Sequence, residues 1–187
     1  MFYGKGYNEK VEGEKYYKTT ENGKTTRCYN TWANMLERCY SAKYQAKHPT
    51  YIGTIAYYEW LNYQNFAKWF YNNFYEIENE TMCLDKDLLS GDNKIYSHNT
   101  CCFLPQSINK VLVGAKGYYF HKPTGKYQAQ IKYKGKVINL GYFLTEKEAK
   151  QTYKLNKQLI VYLLAEEYKD KLPTKVYNAL MNYQMDI

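Results

Sequence analysis

Asp85, Asp87 and His98 fall inside one short stretch, LDKDLLSGDNKIYSHNTCCFLP, residues 84–105. Carboxylates at the end of an apolar strand can hold a divalent metal against a phosphate, and a histidine, whose pKa lies near neutrality, can deprotonate the attacking water. Asp85 is the candidate metal ligand, for Mg²⁺ or Mn²⁺. Asp85, Asp87 and His98 form the candidate catalytic set, with Asn93 and Asn99 close by in sequence. Lys86 stands between the two acids; unless deeply desolvated it is protonated at neutral pH and makes a poor base. The same residues also carry a purely structural reading. Asp85 and Asp87 can hold a turn by accepting backbone N–H groups, and His98 can be an exposed turn residue.

A second set of residues suits binding rather than bond breaking. In KYQAQIKY, residues 126–133, side chains alternate with period two. Tyr127, Ala129, Ile131 and Tyr133 should pack inward. Lys126, Gln128, Gln130, Lys132 and Lys134 should point outward, flanked by Lys122 and Lys136. From Lys116 to Lys136 there are six lysines and no acid. A β-ribbon of this kind fits the major groove of duplex DNA, where glutamine can bond adenine bidentately and lysine reaches guanine or phosphate. The candidate DNA-binding residues are therefore Lys116, Lys122, Lys126, Gln128, Gln130, Lys132, Lys134 and Lys136.

These residues need a frame. Asn22-Gly23 between Thr- and Tyr-rich flanks predicts a hairpin. Trp32, Met35, Leu36 and Cys39 recur on one helical face, with Asn30 or Thr31 as cap. YIGTIAY, residues 51–57, reads as a strand, and Phe66, Trp69, Phe70 and Phe74 mark a second helix. Leu84 closes a short strand, residues 90–95 turn, and a helix begins near Pro105. Gly114 to Gly117 is the expected linker. Three strands of 6 to 8 residues follow, GYYFHK, KYQAQIKY and KVINLGYF, joined by Pro123-Thr124-Gly125 and Lys134-Gly135. A long helix then starts at a Thr145/Glu148 capping box, with Ala149, Tyr153, Asn156, Ile160 and Leu163 facing the sheet. Pro173 opens a short terminal helix.

Composition narrows the classes. Of 187 residues, 45% are hydrophobic, enough for a packed core. No apolar run approaches the roughly 18 to 20 residues of a membrane span, and MFYGKGYNEK lacks the apolar stretch of a signal peptide. The expectation is an intracellular chain with no membrane partner. The five cysteines include no CxxC pair, which argues against a zinc ribbon and for buried free thiols. The net charge of +8 is unevenly placed. Residues 1–110 hold 13 basic and 12 acidic residues, net +1, whereas residues 111–187 hold 13 and 6, net +7. Such asymmetry points the C-terminal part toward a polyanion.

The segment GYYFHKPTGKYQAQIKYKGKVINLGYFLTEKEAKQTY resembles the plant ethylene-response-factor (APETALA-like) type DNA-binding domain, which bacteriophages also use. The landmarks are Gly125-Lys126, the Tyr127 to Ile131 alternation, Leu140 to Phe143, and Thr145-Glu146 through Ala149 to Tyr153. The resemblance implies a sheet laid in the major groove, although the arginine and tryptophan that read bases in that family are missing from this sheet. YNTWANMLERCYSAKYQAKHPTYIG, YYEWLNYQNFAKWF and LDKD…NKIYSHNTCCFLPQSIN resemble phage homing-endonuclease-like proteins of the HNH type. On that resemblance Asp85 takes the metal-acid position, Lys86 replaces the general-base histidine, and Thr100 stands where an asparagine is expected.

The combined reading is an α+β chain. An N-terminal hairpin and a degenerate ββα module occupy residues 1–112, a three-stranded antiparallel sheet on one long helix occupies 116–168, and a terminal helix occupies 169–187. The expected function is phage-type binding of double-stranded DNA in the cytoplasm of an infected bacterial host. Two alternatives stay open: metal-dependent nicking with Mg²⁺ or Mn²⁺, and a phage factor that inhibits a host protein through its tyrosine-rich surface.

Overall fold

The structure is a computed structural model that describes residues 2–113 and 116–185. Gly114 of the expected linker therefore lies outside the described residues. Asn22 and Gly23 both take positive φ, 51° and 74°, as a type I′ turn demands. They close a hairpin of β1, Thr20–Glu21, and β2, Lys24–Thr25. Helix α1, Arg27–Tyr40, follows directly. Its cap is Thr26, whose hydroxyl accepts the Tyr29 N–H at 3.1 Å. The expected caps, Asn30 and Thr31, lie inside the helix, because the hairpin delivers Thr26 to the first free N–H groups one turn earlier. Trp32, Met35, Leu36 and Cys39 are all buried, as their spacing required.

Helix α2, Ala42–Lys47, leads to β3, Ile55–Ala56. Only these two residues of the expected 51–57 strand pair, in parallel with β5, Ile95–Tyr96. The 3-10 turn at Pro49–Tyr51 and Gly53 at φ +78° bend the chain before that point. Helix α3, Tyr63–Asn73, buries Phe66, Ala67 and Phe70. Trp32 ties the two helices' surroundings together by donating its indole N–H to the Trp60 carbonyl at 2.7 Å. Phe70 meets Phe103 edge-on at 5.2 Å, a favoured aromatic geometry.

Strand β4, Met82–Asp85, pairs with β6, Cys102–Pro105, and α4, Gln106–Leu112, follows. This is a strand–loop–strand–helix order. The C-terminal sheet is antiparallel in the order β7, β8, β9: Tyr118–His121, Lys126–Tyr133 and Lys136–Phe143. β7 has four residues, shorter than expected, because a 3-10 turn at Lys122–Thr124 ends it. Helix α5, Glu146–Glu167, carries the Thr145/Glu148 capping box, and α6 spans Thr174–Met181.

The expected inward lane of α5 needs correction. Ala149, Tyr153 and Ile160 are buried, but Asn156 is half-buried and Leu163 is 46% exposed. Lys157 and Leu164 take the inward places. Lys157 is tolerated there because its ammonium donates to the Leu112 carbonyl at 2.8 Å, which satisfies an otherwise free carbonyl at the end of α4. Burial pulls its pKa below the ordinary lysine value.

Two compact units emerge, residues 1–76 with 84–103, and 77–83 with 104–187. This differs from the division drawn from the sequence: α4 goes with α5 and the sheet, through contacts such as Lys157 to Leu112. None of the five cysteines is in a disulfide; Cys28, Cys39, Cys101 and Cys102 are buried and Cys83 is half-buried. Among the described residues no helix is long and apolar enough to cross a membrane.

Candidate nucleic-acid interface

The Asp85 turn is built as a backbone clamp. Asp85 ends β4, is 6% exposed, and its Oδ2 accepts the N–H groups of Asp87 at 3.0 Å and Leu88 at 2.8 Å. Burial raises its pKa above the ordinary aspartate value, against the downward pull of the two N–H groups. Lys86 is also buried; its ammonium contacts the Asp87 carboxylate and donates to the Asn93 carbonyl at 2.9 Å. The Asp87 side chain is itself largely exposed. His98 is exposed with its ring against Tyr57 at 5.4 Å, and Asn99 is exposed beside it. Thr100, where the HNH resemblance expects asparagine, is buried and donates to the Ile95 carbonyl at 2.7 Å. Among the described residues no group of three or more His, Cys, Asp or Glu side chains is placed to hold a metal. Asp85, Asp87 and His98 form no such group.

The sheet does place its polar ladder on one face. Tyr118 pairs with Ala129 and lies against Tyr153 of α5, ring centroids 6.1 Å apart, so Ala129 and Ile131 face the helix. Lys126, Gln128, Gln130 and Lys132 must then face away. Cross-strand partners share a face, which adds residues that the single strand did not reveal. Tyr119 and Tyr142 flank Gln128, Asn139 pairs with Gln130, and Val137 pairs with Lys132. A bulge lets this happen: the register slips between Ala129 and Gln130, so Leu140 has no partner and Tyr142 returns to the outer face. Isolated alternation along β9 would have missed that residue. The period-two pattern of both hairpins, aligned across the Lys134-Gly135 turn, was the signal available.

The eight candidate binding residues separate into groups. Lys122, Lys126, Lys132 and Lys136 are exposed and make no ion pair among the described residues. Lys116 and Lys134 are instead paired, with Glu146 and Glu167, both at 2.8 Å. The neighbouring carboxylates raise both lysine pKa values, and Lys116 in turn holds Glu146 low. Gln130 is half-buried. Gln128 is 8% exposed, contrary to expectation, because Tyr119 and Tyr142 cover it from either side. The Tyr119 hydroxyl donates to Gln128 Oε1 at 2.7 Å, which holds the amide within the sheet surface. His121 borders this face, its Nδ1 at 3.0 Å from the Thr124 hydroxyl and its ring 5.2 Å from Tyr142.

The outer face is therefore a strip of tyrosines and amides carrying two lysines, Lys126 and Lys132. Lys122 stands in the turn beyond one end; Lys136, at the hairpin turn, pairs with Tyr133 and so lies on the α5 side of the sheet, not with the outward lysines it was expected to flank. Comparison of the chain with protein-family models, curated proteins and solved structures yields no match.

Proposed function

We propose that the chain binds double-stranded DNA through the outer face of the β7–β8–β9 sheet. The observation that carries the reading is the face itself: unpaired lysines and amides lie on the side of a three-stranded antiparallel sheet that faces away from α5, in the half of the chain with net charge +7. Lys122, Lys126 and Lys132 supply phosphate contacts, while Gln130 and Asn139 present amides to base edges. Tyr119 and Tyr142 give the strip rigid walls, and Gln128 positions Tyr119 rather than touching DNA. Fluorescence anisotropy of a labelled 20-base-pair duplex at low salt tests this. Reversing Lys126 and Lys132 to Glu should weaken binding at least tenfold, and an unchanged affinity rejects the face.

Metal-dependent nicking has less support. Asp85 Oδ2 accepts two backbone N–H groups, and Lys86 is held by Asp87 and Asn93, so these groups already serve the turn. That reading requires supercoiled plasmid to be nicked with Mg²⁺ or Mn²⁺ and the nicking to disappear in Asp85→Ala. Inhibition of a host protein requires a tight protein partner together with no shift of duplex DNA at low salt.

A further inference from the structure

We propose that a cavity between α4, the β8–β9 turn and the end of α5 binds a single nucleotide; the site shares Lys132 with the edge of the outer sheet face. The cavity holds about 360 Å³, within the range of small-ligand sites. Lys110, Lys132 and Lys134 line it, together with Tyr133, Leu164 and Tyr168. Glu167 is the one acid in the lining, and both its oxygens accept from Lys134, at 3.0 and 2.8 Å. Two ammonium groups remain. Lys110 donates to the Gln106 side-chain oxygen at 3.0 Å, and Lys132 makes no ion pair among the described residues. Glu80, whose carboxyl is held low against burial by hydrogen bonds from Tyr168 and Ser107 and by the charge of Lys110, meets part of the Lys110 charge, so an anion in the cavity answers chiefly Lys132.

The remaining walls select the kind of anion. Tyr133, Tyr168 and Leu164 bring two aromatic rings and an apolar side chain to the lining, the kind of wall that suits a planar group such as a nucleobase. These walls are fixed in advance. The Tyr168 hydroxyl donates to Glu80 at 2.5 Å and lies 3.2 Å from the Ser107 hydroxyl. The buried Lys157 ties the end of α4 to α5. A second cavity of about 340 Å³ shares Lys110, Val111 and Lys132 and adds Lys116 and Gln130, so the phosphate side of the site continues along a basic wall. The nucleotide could come free from solution or as an unpaired residue of a nucleic-acid strand.

Calorimetric titration of the full chain with adenosine 5′-monophosphate at low ionic strength tests the proposal, beside adenosine, inorganic phosphate, Lys110→Ala/Lys132→Ala, and a Lys126→Ala/Lys175→Ala control that removes a sheet-face lysine outside the cavity. The expected result is saturable nucleotide binding, at least tenfold tighter than either fragment, lost at least tenfold in the cavity variant and kept in the control. Displacement of the nucleotide at least tenfold more readily by a duplex with one bulged base than by a fully paired one assigns the strand as the source; equal displacement by both, or by neither, assigns the free nucleotide. No heat up to millimolar nucleotide, equal binding of inorganic phosphate, or a cavity variant that binds like the parent overturns the site. Duplex binding with no nucleotide binding sinks this proposal alone; nucleotide binding with no duplex binding sinks the sheet-face reading alone.

Discussion

The ion pairs of the second unit divide its lysines in a way that salt dependence can read. Each phosphate neutralised by a free lysine contributes about 0.9 to the slope of log affinity against log salt. Lys122, Lys126 and Lys132 are unpaired and lie on or beside the outer face, so each should release counterions on binding. Replacing all three by Ala should flatten the slope by about 2.7. For the parent chain that share corresponds to an affinity loss of about 40-fold between 50 and 200 mM salt. Lys116 and Lys134 are already compensated by Glu146 and Glu167, both exposed pairs of small intrinsic worth. Replacing these two should change the slope by well under the roughly 1.8 that two free lysines would give. The sharper perturbation is Glu146→Gln with Glu167→Gln. It releases both lysines and should steepen the slope toward that figure without adding a single positive residue. Anisotropy of a labelled duplex across a salt series measures all four proteins. If Lys116→Ala/Lys134→Ala flattens the slope as much per residue as the other three lysines do, the pairing has no bearing on binding. A triple variant with the parental slope would remove the sheet as the docking face.

Three further expectations concern stability. Asp85→Asn keeps an oxygen for the Asp87 and Leu88 N–H groups and should retain the fold, whereas Asp85→Ala frees both and should cost about 1–3 kcal/mol in urea unfolding. Because the folded pKa of Asp85 is raised, its contribution to stability is fully present below the ordinary value near 3.8 and is lost as pH rises through the folded value; Asp85→Asn should gain on the parent as pH climbs from about 3.5 to about 7, and parallel pH profiles would contradict the burial argument. Leu164→Ala should cost about 2–5 kcal/mol and Leu163→Ala no more than about 0.5 kcal/mol, and the reverse order would restore the inward lane first read from the sequence. Gly117→Ala would place a Cβ 2.2 Å from the Tyr153 ring and 2.4 Å from the Gln130 carbonyl oxygen; it should lower thermal stability by roughly 1–3 kcal/mol, and a neutral result would show that β7 can shift at no cost.

What the sequence disclosed follows from which signals are local. The Asn22-Gly23 and Lys134-Gly135 turns were legible because positive φ at two successive residues leaves few residue types eligible. The Thr145/Glu148 box was legible because both of its hydrogen bonds close within one turn. The inward lane of α5 was misread by one residue because a lysine occupies it, and hydrophobic periodicity cannot anticipate a buried ammonium whose partner, the Leu112 carbonyl, lies 45 positions away. Polarity likewise hid the fate of Gln128: alternation gave its direction correctly, but its burial depends on tyrosines from two other strands, one of them placed by a bulge. The candidate site shows the same split. Direction along β8 follows from period two alone, while charge available to a ligand depends on Glu146 and Glu167, which the sequence sets 30 and 33 residues from the lysines they neutralise. A run of six lysines without an acid therefore overstates the free charge of the surface it forms. The acids that temper it arrive from the helix behind the sheet, so phosphate contact falls to the lysines that α5 cannot reach.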